Sequence, residues 1–386
     1  MDKEVDTAGV DVDVVTRQND YPPVPLPILH QFQPELRDIV QVSYQFVNHS
    51  LQVGERLTRS LPFWELIHTD VWVLEVLRRG YKPQFLTNPL LTTSPKWFTV
   101  SHKKDPFLQK EIDDLFLKGA IEPVHNVTSP GFYTKIFLVP KKNGKLRPVI
   151  DLSPLNKFLV VPTFKMLTTR HLSRVLTHQG HAASLDLKDA YLHVPIRKSF
   201  RKYLRFAYRG KVWQFKSLPF GIATAPYVFT RIAPQLTRFL QPFTIPLHQF
   251  IDDWLTHALG RLRTQMYMLI TLHLTKALGW LVNLEKSEQL FTFIGVVYDL
   301  TTDLMYPPEN RFLAAKRLVN HVLISKCSTL KTWQSLLGLL QSMADQIPLG
   351  HLHTRPLHIL LKMVVHMNDP PDTPVTLPLQ AIPHLH

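Results

Sequence analysis

Between two apolar pairs, Phe250-Ile251 and Trp254-Leu255, the chain sets two aspartates side by side, Asp252 and Asp253. Adjacent carboxylates in a partly buried setting repel each other, and a dication relieves that cost. The surrounding stretch, IPLHQFIDDWLTHA, reads as two short strands meeting at the pair. A third carboxylate, Asp186, ends the apolar run Ala182–Leu185, where a strand leaves its sheet. Two strand-borne carboxylate sites at one sheet edge suit two Mg²⁺ ions. Such ions clamp an in-line displacement by activating a hydroxyl and stabilising a leaving phosphate. The plain alternative is a polar turn at Asp252-Asp253 and a helix cap at Asp186.

The charge distribution favours a phosphate-bearing partner. Residues 133–217 hold 18 Lys or Arg against three acids, Asp151, Asp186 and Asp189, a local excess of +15 in a chain whose total is +14. A segment this lopsided calls for a polyanion, nucleic acid first, unless it is simply a solvated basic face. The 386 residues allow roughly two to three domains. With 45% hydrophobic and 19% charged residues, an intrinsically disordered chain is excluded. The single cysteine, Cys327, rules out a disulfide framework and any multi-Cys zinc site, and reads as a small residue without the partners of a nucleophile. MDKEVDTAGV carries no secretory signal, and no apolar run reaches the ~18 residues of a membrane helix. The expectation is an intracellular protein, cytoplasmic or nuclear, without a membrane partner.

Residues up to about 45 read as a poorly ordered lead-in. From Pro62, Trp64, Ile67, Val71, Leu74 and Leu77 recur at helical spacing before Gly80. A second helix has Asp105 as its cap, Pro106 in its first turn and Gly119 at its end. KIFLVPKK and KLRPVIDL flank Asn143-Gly144 as a hairpin with a basic tip. A short helix over 168–178, the strand HAASLDL, a hairpin turning at Arg209-Gly210 and a helix over 224–240 follow. Beyond the aspartate pair come a helix from Arg261 to Leu278, the strand or hairpin QLFTFIGVVYDL, and two helices, the second striped by Leu330, Trp333, Leu337 and Leu340. That stripe fits a core better than a base-stacking platform. The proline-rich last ~24 residues read as a truncated end.

In order, these segments resemble the reverse transcriptase motifs of retroelements. SPGFYTKIFLVPKKNGKLRPVIDLSPLNK is similar to the fingers motif, SLDLKDAY to the first palm aspartate motif and LPFGIATAPYVF to the Leu-Pro-X-Gly motif. FIDDWL stands for the Tyr-X-Asp-Asp box, LGWLVNLEKSE for the motif after it and FTFIGVVYDL for the primer grip. The resemblance spans about residues 50–360. The Asp-Asp-Trp-Leu ending, the Leu-Pro-Phe-Gly form and VGERLTRSLPFWELIHTDVWVLEVLRRGY look most like the DIRS group of tyrosine-recombinase retrotransposons.

The resemblance implies an α+β right-hand polymerase. It divides into an N-terminal lead-in and helical extension (1–95), fingers with the basic hairpin (96–167), a palm of antiparallel sheet with flanking helices (168–300), a short helical thumb or connection (301–362) and the tail (363–386). The implied reaction adds a deoxynucleoside monophosphate to a primer 3′-OH on an RNA or DNA template, using two Mg²⁺ ions with Mn²⁺ as a substitute. Asp186, Asp252 and Asp253 are the implied catalytic and metal-binding residues, with Leu187 lending a backbone carbonyl. Lys142 and Arg147 would hold the incoming triphosphate, Arg by a bidentate contact and Lys as a point charge. Asp189 and Ala190 would offer backbone N–H groups, Tyr191 would exclude a ribose 2′-OH, and Phe220 and Gly221 would line the nucleotide. Lys286 would protonate the pyrophosphate, although a basic surface residue accounts for it almost as well.

Two departures stand out: Phe250 replaces the usual Tyr of the box, and Phe220 stands where retroviral relatives carry Gln. Each removes a polar contact and leaves the carboxylates untouched. His351, His353 and His358, with neither Cys nor acid beside them, read as a solvated or phosphate-contacting helix end. After Lys362 only Asp369 and Asp372 remain, so the expectation is that this chain lacks a ribonuclease H activity. Two rivals stay open: a nucleic-acid-binding relic that does not polymerise, and an RNA-dependent RNA polymerase, which Tyr191 at the gate position disfavours.

Overall fold

Turn chemistry and apolar spacing account for most of the elements. The computed structural model describes residues 23–46, 52–98, 101, 105–140, 146–176, 179–288, 290–366 and 368–385, without the side chains of 28, 140, 147 and 284–288. Two compact units emerge. The first contains the described residues up to Met166, Ala183–Thr256 and Leu262–Lys286; the second contains Leu167–Ala182, His257–Arg261 and the described residues from Ser287 onward.

In the first unit, part of the expected lead-in is structured. Helix α1 (Pro34–Ser43) buries Leu36 and Val40 completely, since apolar residues four apart share one helical face. Helix α2 (Val53–Arg59) follows. The helical run expected from Pro62 to Leu77 is two helices, α3 (Leu61–Leu66) and α4 (Val71–Arg79). Between them His68 adopts φ +54, and Asp70 caps α4 by accepting a 2.9 Å hydrogen bond from Trp72 N. Asp105 opens α5 (Asp105–Leu117), but its carboxylate serves Tyr208 Oη and Arg209, each at 2.5 Å. Strand β1 (Ile121–Pro123) leads to β2 (Ile136–Pro140), which pairs antiparallel with β3 (Leu146–Ile150). The basic hairpin therefore forms as expected, with its tip, residues 141–145, outside the described residues.

Strand β4 (His181–Leu187) carries Asp186. Strands β5 (Arg205–Tyr208) and β6 (Lys211–Phe215) turn at Arg209 and Gly210, with φ of +45 and +73, and β6 also pairs with β1. Pro234 divides the single helix expected over 224–240 into α6 (Ala225–Ile232) and α7 (Pro234–Leu240). Strands β7 (Leu247–Phe250) and β8 (Asp253–Ala258) form the aspartate hairpin. After α8 (Arg261–Ala277) comes β9 (Val282–Glu288), completing a sheet of order β7-β8-β4-β9. The carbonyls leaving α8 are capped from far away: Arg56 Nε donates to Gly279 O at 2.9 Å and Trp64 Nε1 to Leu278 O at 2.8 Å.

In the second unit, β10 (Leu290–Phe293), β11 (Val296–Asp299) and β12 (Leu304–Tyr306) form a meander. Helix α9 (Glu309–Ser325) precedes strand β13 (Cys327–Thr329), and helices α10 (Leu330–Met343) and α11 (Gly350–Val364) complete the helical part. Trp333, Leu336, Leu337 and Leu357 make the core expected of the Leu-Trp stripe. The tail is packed rather than loose. Strand β14 (Pro374–Thr376) pairs antiparallel with β13, and Val375, Ala381 and Leu385 join that core. An acid does meet the histidine cluster, as His351 Nε2 lies 2.8 Å from Asp345. No described helix is long and apolar enough to cross a membrane.

Candidate active site

The aspartate hairpin is closed by the pair Phe250–Asp253, leaving Ile251 and Asp252 as its two turn residues. Ile251 has φ +51 and Asp252 is not among the positive-φ residues, the pattern of a turn that prefers glycine first. A β-branched residue there is an outlier that costs about 1–3 kcal/mol. Its surroundings hold it in place: the fully buried Trp254 donates Nε1–H to Ile251 O at 2.9 Å. Asp252 and Asp253 lie exposed at the tip, while Trp254 and the rest of β8 are buried.

The same turn is tied to the neighbouring strand end, where Leu187 N donates to Asp252 O at 2.8 Å. That bond brings Asp186 and Asp252 together. Partial burial, and secondarily the negative charge of Asp186, hold the Asp252 carboxyl above the usual carboxylate range. Asn283 Nδ2 on β9 donates to Asp186 Oδ2 at 3.1 Å. The three expected carboxylates do not close into one cluster, for among the described residues no three His, Cys, Asp or Glu side chains are grouped to hold a metal. The donor set still fits Mg²⁺, which commonly takes one or two carboxylates and fills its octahedron with water and substrate phosphates. Two carboxylates that repel each other, one of them resisting ionisation, are what a hard dication would stabilise.

Tyr191 lies in a 3₁₀ turn over Ala190–His193 and is 7% exposed. Its ring meets Phe220 edge-on at 5.1 Å and Phe229 at 5.6 Å. Burial and the Asp252 charge push its phenol up to about 12, so it stays protonated beside the carboxylates. Phe220 is 54% exposed. Gly221 has φ +94, and a Cβ there would come 3.3 Å from Ile150 O. Asp189, at φ +56, spends its carboxylate on Lys118, 3.1 Å away. Lys142 lies outside the described residues, as do the side chains of Arg147 and Lys286.

Sequence reasoning passed over several supports. His193 is completely buried; its Nε2 accepts from Leu281 N at 3.1 Å and its Nδ1 meets Asp189 O at 3.2 Å. Those bonds require the neutral Nδ1–H tautomer, and burial, reinforced by Arg56, lowers its pKa to about 3. The ring thus couples the turn bearing Tyr191 to the start of β9, where Lys188 N also donates to Leu281 O at 3.0 Å. Asn156 clamps the Phe220–Ala223 loop by donating to Gly221 O at 2.8 Å and accepting from Ala223 N at 2.9 Å. Asn156 sits inside the fingers motif and His193 two residues beyond SLDLKDAY, but nothing local marks their roles. The basic segment is also less free than its charge suggests. Arg201 pairs with Glu122 at 2.9 Å, Arg209 with Asp105, and Lys216 with Glu55 at 3.3 Å. Arg205 is buried, donating to Ser129 O at 2.7 Å.

A family model described as "Reverse transcriptase (RNA-dependent DNA polymerase)" matches residues 139–311. The chain is 28% identical over 260 residues to the Pol polyprotein of equine infectious anemia virus (strain Wyoming), covering 60% of this chain and 21% of the relative. It is 26% identical over 299 residues to the Pro-Pol polyprotein of simian foamy virus type 1, covering 75% of this chain and 24% of the relative. A putative enzymatic polyprotein of Cassava vein mosaic virus is 25% identical over 250 residues, with 63% and 37% covered. The chain thus spans between about a fifth and two fifths of the length of these relatives. Among solved structures, a foamy viral protease-reverse transcriptase in complex with double-stranded DNA aligns with a TM-score of 0.64 at 20% identity, covering all of this chain and 61% of that one. The foamy viral protein in complex with an RNA/DNA hybrid gives 0.62 at 19% identity, covering all of this chain and 46% of that one. This likeness shows the fold, the α+β polymerase fold expected from the motifs.

Proposed function

We propose that this homologue of retroviral pol polyproteins is an RNA-directed DNA polymerase of a retrotransposon, extending a primer 3′-OH by one deoxynucleoside monophosphate per cycle. One observation carries the reading: the Leu187–Asp252 hydrogen bond that sets Asp186 beside Asp252 at adjoining strand ends. Bound there, two Mg²⁺ ions would supply activation of the hydroxyl and charge neutralisation on the phosphates. Asp186, Asp252 and Asp253 would hold those ions, with the Leu187 carbonyl beside them; Asn283 orients Asp186. The primer hydroxyl releases its proton to solvent as its oxygen attacks the α-phosphorus, the bond from that phosphorus to the bridging oxygen breaks, and pyrophosphate departs with a proton from Lys286. Lys142, Arg147 and the backbone of Asp189 and Ala190 bind the triphosphate. Tyr191, wedged between Phe220 and Phe229, fills the space of a ribose 2′-OH. Phe220 and Gly221 pack on the nucleotide, and the loop that bears them is held by Asn156. Within the family the Asp-Asp-Trp-Leu ending favours the DIRS group.

Primer extension on an RNA template with Mg²⁺ and deoxynucleotides tests this reading, with Asp252→Asn/Asp253→Asn run beside the unmodified chain. Extension by the unmodified chain alone is expected. Silence from both with template binding retained would mean a non-catalytic relic. Extension by both would remove these aspartates from the site. Tyr191→Ala should raise ribonucleotide incorporation, and an unchanged sugar preference would dismiss the gate.

A further inference from the structure

Away from the carboxylates, the first unit contains a pocket of about 770 Å³ between the N-terminal helices and the segment after Tyr191. This volume lies within the usual range for small-ligand sites. One side is lined by Arg59, Arg78 and Arg79, the other by Arg197, Lys198 and Arg201. Lys216 adds a seventh cation, and Glu55 is the single carboxylate in the lining. Glu55 is already committed to Arg59 at 2.8 Å and Lys216 at 3.3 Å. Carboxylates outside the lining hold Arg78 (Glu65, 2.6 Å), Arg79 (Glu75, 3.3 Å) and Arg201 (Glu122, 2.9 Å). Arg197 and Lys198 are in no ion pair among the described residues, and Arg197 Nε is buried without a hydrogen-bond acceptor. A buried donor left unpaired is costly and calls for an explanation.

The walls are joined by backbone rather than by chance side-chain contact. Tyr81 N donates to Pro195 O at 2.7 Å and Arg197 N to Tyr81 O at 2.9 Å. Gly80, at φ +84, permits that approach, since a Cβ there would lie 2.4 Å from Arg197 N. Five guanidinium groups in one concave site match phosphate oxygens by paired N–H donation, which a row of lysines on an open face does not. We propose that this pocket binds a compact polyphosphate, a chain of two or more linked phosphates, at a site distinct from the aspartates. Arg197 and Lys198 supply the uncompensated charge. Concavity favours a compact anion over a nucleic-acid backbone, which tracks along a groove.

The test is calorimetric titration of the full chain with inorganic tripolyphosphate in EDTA, where binding dependent on divalent metal is absent. One equivalent is expected to bind, more weakly as salt rises. Arg197→Ala/Lys198→Ala should weaken it about tenfold or more, and Glu55→Gln, which releases Arg59 and Lys216, should tighten it several-fold. The opposite sign of the second variant separates a binding effect from loss of fold. Tripolyphosphate should shield Arg197 from phenylglyoxal, read by mass spectrometry, whereas Asp252→Asn/Asp253→Asn should bind it as the unmodified chain does. No binding, equal binding by the Arg197/Lys198 variant, or shielding of Arg197 by a single-stranded oligonucleotide but not by tripolyphosphate would overturn the proposal. None of these readouts depends on primer extension.

Discussion

Two hairpins of the first unit turn through two residues each and solve the same steric problem differently. At Arg209-Gly210 both residues take positive φ, with glycine at the second place, and a Cβ on Gly210 would meet nothing within 4 Å. At Ile251-Asp252 a β-branched residue takes the left-handed conformation, although glycine would relieve it. The first turn merely reverses the chain beside α5. The second is over-determined by Trp254 Nε1 on Ile251 O and Leu187 N on Asp252 O. The greater strain lies at the β-branched residue beside the carboxylates, while the unbranched Arg209 takes positive φ at lower cost.

The comparison breaks most sharply at Asp252. Asp252→Asn should lower primer extension by about a thousandfold or more, since metal charge stabilisation contributes several kcal/mol. The same change should raise the thermal midpoint of the metal-free protein slightly, because a carboxylate disfavoured by burial and by Asp186 is removed. Next come the turns themselves. Ile251→Gly should leave stability equal or up to about 1 kcal/mol higher, as relieved strain outweighs glycine's entropy, while extension falls about tenfold because the turn no longer fixes its carboxylate. Gly210→Ala should do the reverse, costing about 1–2 kcal/mol in urea unfolding with extension unchanged. Equal losses of extension in both would erase the distinction drawn between the turns.

Smaller effects sharpen the picture. Asn156→Ala removes two hydrogen bonds from the Phe220–Ala223 loop and should cost about 1–2 kcal/mol. Steady-state kinetics should show a several-fold higher KM for the deoxynucleotide with kcat little changed. Acid titration should give the mildest signal. Burial holds His193 at about 3 and His257 at about 4, below the ordinary value near 6.5. The unfolded chain therefore takes up these protons first, so stability is complete above about pH 6.5 and is lost as pH falls toward 3. Between pH 7 and 4.5 the urea midpoint should drop less in His193→Gln than in the unmodified chain.

Legibility in the sequence followed the range of the interaction. Turn dipeptides and strand alternation gave the β2-β3 and β5-β6 hairpins, because their causes lie within a few residues; the aspartate hairpin turns one residue earlier than expected, at Ile251-Asp252. The catalytic reading of the carboxylates came from the motif resemblance around them, since an Asp-Asp pair by itself reads equally as a polar turn. Supports that act across the fold were not legible. Arg56 reaches Gly279 over 223 positions, and His193 joins Asp189 to Leu281. A lone histidine or arginine carries no periodicity that announces such a role. Tertiary packing also ordered two segments whose composition marked no element. Leu36 and Val40 fold α1 despite nearby prolines, and Val375 seats the proline-rich tail against Cys327–Thr329. Breaks at His68 and Pro234 split helices whose apolar spacing ran straight through them. Asp345 was passed over as a partner of His351 because it lies before α11, in the 3₁₀ turn Ala344–Gln346, rather than on the same helix.

The strained turn and the end of β4 are proposed to present carboxylates to divalent metal. Binding of Mn²⁺ followed by electron paramagnetic resonance, with primer-template and a deoxynucleotide present, tests it most directly. Two bound ions per chain are expected, with loss of at least one in Asp186→Asn and in Asp252→Asn and the fold intact by circular dichroism. Unchanged Mn²⁺ binding in both variants would contradict it.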